Sequence, residues 1–223
     1  MAPARHPQPY APAIPMLRPN PATFLLCLLA ALAPMMPAGA ASVRLVGFDE
    51  LVQSSALVFH GRVVGTRSRW LPGHQGIVTD VEFAVIEVLK GEAPGQLSLS
   101  FAGGTVDGVG MRVHGLTQPV AEEEGVYFVE QLDHPQVNPL YGWDQGHYRV
   151  RATADGVRRV FANSGAPVLN AAPAASPTRV GLSPGVPLGV TVGTDRVATA
   201  ALPLADFAAS IRAAAGPAIG TSQ

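Results

Sequence analysis

The sequence predicts a mainly β domain: a small barrel with a short helix at its N-terminal end and an amphipathic helix at its C-terminal end. Three observations predict it. Apolar and polar residues alternate at period two in several segments, most clearly 77–90 and 96–101, a spacing that buries one face of a strand and cannot suit a helix. Gly (24) and Pro (21) are abundant and break the chain at short intervals, which favours strands and turns. Charged residues make up 14% of the chain, well below the roughly 25% of an average soluble protein, so apolar strands must supply an ordinary core.

Residues 1–40 are expected to be a signal peptide. Arg18 precedes the apolar run 22–36, and Ala38-Gly39-Ala40 follows with small residues where a signal peptidase cuts; the run is too short for a bilayer span of about 20 residues. Cleavage is expected after Ala40 or Ala41, Met16 offers a second start, and the single cysteine, Cys27, leaves with the leader. The mature chain is then extracytoplasmic, periplasmic or secreted, with no permanent membrane span. It holds 13 basic side chains against 16 acidic ones, a formal charge of −3, and offers no basic stripe for nucleic acid.

The mature elements follow from local pattern. Phe48, Leu51 and Val52 fall at helical spacing behind Asp49 and Glu50, which suit a helix start. Residues 56–64 read as a strand in which Gly61 marks a bulge or a close backbone approach, and 66–76 as a loop. In strand 77–90, Ile77, Val81, Phe83, Val85 and Leu89 face one way; its second half is apolar on both faces and therefore covered by another element. Strands are expected at 96–101, 105–113, 126–132, 146–151 and 157–161, the last two joined by the turn Asp155-Gly156. The barrel domain thus spans 41–162. Residues 163–201, rich in Ala, Pro, Ser and Gly, read as a linker or loose excursion, and 202–216 hold a helix with Leu204, Phe207, Ala208 and Ile211 on one stripe.

Five segments carry a family likeness: ALVFHGRVV (56–64), TDVEFAVIEVLKG (79–91), Gly103-Gly104, EGVYFV (124–129) and GHYRV (146–150). With them the run 55–150 resembles an uncharacterised family of exported bacterial proteins related to the netrin-like modules, whose barrel is of the OB type seen in tissue inhibitors of metalloproteinases. The resemblance implies a five-stranded Greek-key barrel of about a hundred residues. It does not extend to the inhibitory cysteine of those proteins, because the mature chain begins Ala41-Ser42-Val43 or Ser42-Val43.

Chemistry-bearing motifs are sparse. His60, His74, His114, His134 and His147 show no compact ligand spacing, so no metal or other cofactor is expected. Glu122-Glu123-Glu124 places three carboxylates together, near Asp133 in sequence; adjacent side chains diverge, so a solvated turn is expected. No nucleophile elbow, phosphate loop or dinucleotide fingerprint is present, and no catalytic residue is assigned. Trp70 and Trp143, placed in loops beside Tyr141, Arg67 and Arg69, are the expected partner contacts, since aromatic and arginine residues dominate binding hot spots. The chain therefore reads as a monomeric, non-catalytic binding module for a protein partner such as a protease. The alternatives are an extracytoplasmic hydrolase or metal-dependent enzyme with dispersed site residues, and a structural or assembly component of the envelope.

Overall fold

Strand β1 (Leu57–Trp70) is the spine of the molecule, because it pairs antiparallel with β2 (Ile77–Lys90) on one side and with β6 (Glu124–Val129) on the other. The computed structural model describes residues 43–194 and 198–216; the expected signal peptide, Cys27 and the cleavage position lie outside the described residues. Beyond β2 lies β3 (Gln96–Ala102), and beyond β6 lie β7 (His147–Ala152) and β8 (Arg158–Ala162), so a six-stranded antiparallel sheet runs β3-β2-β1-β6-β7-β8. Two small sheets accompany it: the hairpin β4 (Gly104–Val106) and β5 (Val109–Met111), and the pair β9 (Val168–Ala171) and β10 (Val190–Val192). Helices α1 (Phe48–Ser54) and α2 (Leu204–Ala215) complete the fold.

The expected closed barrel is corrected to an open sheet. Closure needs the outer edge strands to pair, but β3 and β8 are not paired with each other. The outer edge of β8 is instead covered by the chain's own segments, with Val160 N–H donating to Leu202 O and Ala162 N–H to Ala166 O, both at 2.9 Å.

Each face of the sheet has its own core. On one face Val58, Val126, Phe128, Tyr148, Val150 and Val160 pack against Phe48, Leu51 and Val52 of α1 and Phe207, Ala208 and Ile211 of α2. On the other, Leu57, Phe59, Val63, Val81, Phe83, Leu99, Phe101, Tyr127 and Val129 form a second cluster, with Leu140 at its end. Rings organise both clusters: Phe207 lies 4.8 Å from Tyr148, and Tyr127 4.8 Å from Phe83 and 5.3 Å from Phe59.

Bulges decide which residue reaches which core. Register slips by one residue at His60/Gly61, leaving Ile86 of β2 without a partner, and again at Val58/Phe59, leaving Leu89. An extra residue reverses the alternation of a strand. Val85 and Val88 therefore pack on the Phe83 side although they are three apart, while Leu89, expected on the Phe83 face, enters the helix-side core. Ile86 is left half exposed. α2 packs against β2, but the far half of that strand, expected to be covered on both faces, is the more open half: only Leu89 is buried there, Val85 and Val88 are half-buried and Ile86 is exposed.

Other boundaries shift for local reasons. β1 continues to Trp70, because β2 offers it a partner up to Ile77; the expected loop 66–76 shrinks to a turn. The strand expected over 105–113 is a tight hairpin turning at Asp107-Gly108, both with positive φ. The segment read as a linker is corrected to part of the fold: Val168, Ala171 and Val190 are buried in the helix-side core, and Leu188 bridges Gly47 at the start of α1. No helix among the described residues is long and apolar enough to cross a membrane.

Gly61 and Gly125 face each other across β1 and β6. A Cβ on Gly61 would stand 2.8 Å from the Phe59 ring and 2.9 Å from Ala84 O; one on Gly125 would stand 2.8 Å from the Tyr127 ring and 2.6 Å from Tyr148 O. The glycine pair thus makes room for two rings that lie back over their own strands. Gly125→Ala is expected to destabilise the chain by about 1–3 kcal/mol through overpacking. Gly95→Ala, where a Cβ meets nothing within 4 Å, is expected to stay within about 0.5 kcal/mol; urea midpoints of the two proteins check the contrast.

Candidate functional site

Two regions collect chemistry, one charged and the other apolar, and each borders a surface hollow. The charged one grows from the start of β6. Successive strand residues point to opposite faces, so Glu123 and Glu124 diverge, and here both faces are covered. Glu123, its side chain 6% exposed, is hydrogen-bonded to His147 Nε2 at 2.5 Å and accepts from Tyr127 Oη at 3.3 Å, while Arg149 Nε lies 3.2 Å from its second oxygen. That arginine contact is one of charge without hydrogen-bond geometry. On the other face Glu124 meets His60 Nε2 at 2.9 Å, accepts from Arg62 at 3.0 Å and lies 3.3 Å from Arg158 Nε.

These environments shift the titrating groups in definite directions. Burial pushes the Glu124 carboxyl up, but the His60 and Arg62 hydrogen bonds and the Arg158 charge outweigh it, and the net result lies below the usual carboxylate range. Burial, reinforced by the Glu123 charge, drives the Tyr127 hydroxyl well above its ordinary value. The solvated turn expected for Glu122-Glu123-Glu124 is therefore corrected: only Glu122 is exposed. Two of the histidines, His60 and His147, are buried partners of these acids rather than scattered surface groups.

A carboxylate holding a histidine is the arrangement that orients a general base. Here the histidine has no route to a substrate: the His147 side chain is 1% exposed and its Nδ1 is buried without a hydrogen-bond partner. What the pairs can do is fasten β6 to β1 and β7 from both faces. Among the described residues, no group of three or more His, Cys, Asp or Glu side chains is placed to hold a metal ion. His74 sits at the β1–β2 turn against Trp70, far in sequence and setting from His147.

The apolar region is a groove of about 730 Å³ beside β3. Leu97 and Leu99 of β3 form one wall, and the loop 131–137 forms the other, with Leu71 and Val78 at one end. Leu132 and Val137 are 51% and 52% exposed, unusual for neighbouring apolar side chains that have a core available to them. Arg69 stands at the rim, donating to Asp80 at 2.6 Å, and Asp80 also accepts from Ser100 Oγ at 2.5 Å. Arg69 foremost, with Ser100 and against the effect of burial, holds Asp80 below its ordinary pKa.

The five expected contact residues do not form one surface. Trp70 is the last residue of β1 rather than a loop residue, its ring 5.0 Å from that of His74, and Arg67 is exposed opposite Asp80. Of the five, Arg69 alone lines the groove. Trp143 and Tyr141 lie apart, in a shallow hollow against Val43, Arg44 and Val46. There Tyr141 Oη donates to Glu50 at 2.5 Å, and Arg44 and Ser176 bond the same carboxylate. Sequence reasoning missed Leu71, Leu132 and Val137; the available signal was an apolar residue on each side of a turn-rich stretch next to the uncharged strand 96–102.

Comparison of the chain with protein-family models, with curated proteins and with solved structures finds no match in any of the three.

Glu50 supplies a pH test of the N-terminal anchoring. Its Arg44 hydrogen bond, against some burial and with help from Ser176 and Tyr141, lowers its pKa from 4.5 to about 2. A depressed folded-state value means that the carboxylate stabilises fully above the unfolded value and ceases to do so as pH falls through the folded one. The stability advantage of the native chain over Glu50→Gln should therefore shrink between about pH 4.5 and pH 2, read from urea midpoints; a difference independent of pH across that window would contradict it.

Proposed function

We propose that the chain is an exported, non-catalytic binding module acting on a protein partner in the periplasmic or secreted space. The observation that carries this reading is the groove beside β3, where exposed Leu132 and Val137 face Leu97 and Leu99 across about 730 Å³. Concave, mainly apolar surfaces with a few polar groups are where proteins take ligands. The leader pattern of Arg18, the run 22–36 and Ala38-Gly39-Ala40 supports export. The strand order β6-β1-β2-β3 supports a Greek-key ancestry of the netrin-like, OB type, since the fourth strand returns to lie beside the first. The enzymatic alternative draws little support, because His60 and His147, the bases paired with Glu124 and Glu123, are buried, their side chains 3% and 1% exposed.

A photo-cross-linking amino acid placed at Leu132, in the chain expressed in its own host, tests this. A discrete protein adduct is expected there and not from the same group at Val180, which is 82% exposed away from the groove lining. Equal labelling at both positions, or none at either, would overturn the reading.

A further inference from the structure

The two edges of the sheet are treated differently. Segments near Ala166 and Leu202 take up the outward amides of β8. On β3, the phase of the backbone is set by Gly103 N–H donating to Ile77 O at 2.7 Å and Val85 N–H donating to Gly95 O at 2.9 Å. Odd-numbered residues therefore bond β2, and the amides and carbonyls of Gln96, Ser98, Ser100 and Ala102 point away from it, as antiparallel alternation requires. Among the described residues, the one backbone bond made from that side is Ala102 N–H to Val137 O, at 2.9 Å.

Natural sheets protect such an edge with lysine, proline, a bulge or a covering segment. The strand Gln-Leu-Ser-Leu-Ser-Phe-Ala contains no charge and no proline, and its pairing with β2 has no register shift. The loop 131–137 stands across from it and leaves a slot rather than a cover. Resting on the binding-module reading above, we propose that β3 captures an extended peptide of the partner protein as a seventh strand, inserted between β3 and that loop.

The groups on the page specify the peptide. Its backbone continues the ladder whose first rung is the Ala102–Val137 bond. Its alternate side chains that fall on the Leu97–Leu99 side meet Leu132 and Val137 and are apolar; those between them lie beside Ser98 and Ser100 and are small or polar. With Ala102 already bonded to Val137, β3 offers Gln96 to Ser100, on the order of 17 Å of edge at the usual rise. Because Val137 of the loop is itself bonded to the edge at Ala102, the loop stands in the way of a whole sheet edge from a second copy of the chain, which favours a peptide segment.

Proline at position 98 separates backbone capture from apolar contact, because it deletes an amide that faces away from β2 and leaves the β2–β3 ladder in place. Random nine-residue peptides displayed in a library are selected on the chain and the best binder is synthesised. Ser98→Pro is expected to weaken it about tenfold or more, the worth of the bonds removed. N-methylation of one set of alternate peptide residues should do the same, and methylation of the other set should leave binding unchanged. Failure to select any peptide, equal sensitivity at both sets, or full binding to a folded Ser98→Pro protein would overturn strand capture. The Leu132 cross-link reads partner contact whatever its shape: an adduct that persists in Ser98→Pro would overturn strand capture alone, and its absence in the native chain would overturn the binding-module reading itself.

Discussion

The aromatic cluster around Tyr127 is the constraint on which the rest of the structure depends. Its ring packs against Phe59 and Phe83, its neighbour across the sheet is the His147 ring at 5.3 Å, and its hydroxyl donates to Glu123. Those contacts require the backbones of β1 and β6 to be bare at Gly61 and Gly125, where a side chain would collide with the rings. One residue thus ties the apolar core to the buried charges, and the glycine pair sets where β1 and β6 lie. A buried carboxylate costs several kcal/mol unless it is paired and hydrogen-bonded; for Glu123, Tyr127 and His147 bond one oxygen and the Arg149 charge faces the other.

From that fixed centre the sheet is covered on both faces and differently at its two edges. The helices claim one face, and bulges at Ile86 and Leu89 hand that face an extra leucine. The other face closes on its own aromatic residues and Leu140. At β8 the chain returns to satisfy the edge, whereas at β3 it crosses only at Ala102. An edge left open beside exposed leucine and valine is a costly feature, because it invites aggregation. The proposed binding role would account for its presence, and the acid–histidine pairs fasten the strands on the other side of β1.

Much of the fold was legible because period-two alternation and Gly-rich turns are local signals. Both strands of the β7–β8 hairpin, the Asp155-Gly156 turn and both helices fall within a residue or two of their expected bounds. What pattern could not supply was parity and closure. Nothing local distinguishes Leu89 from Phe83; their separation depends on an unpaired Ile86 in the partner's register. The expected barrel failed for the same reason, since whether two edges meet is settled by segments far away, near Ala166 and Leu202. At the charged site the right rule led to the wrong outcome. Glu123 and Glu124 do point apart, but both sheet faces are covered there, so divergence buries each against a histidine instead of solvating them. The tryptophans attracted attention by residue type, while the apolar part of the groove is made of leucine and valine, which carry no motif.

The measurement closest to the central claim is amide hydrogen exchange along β3, residue by residue. An open edge predicts alternation: the amides of Leu97, Leu99 and Phe101, which bond β2, exchange slowly, while those of Ser98 and Ser100 exchange at rates near those of an unstructured chain. Uniform slow exchange across residues 96–102 would mean that the edge is already paired, and would contradict both the open sheet and the role assigned to it.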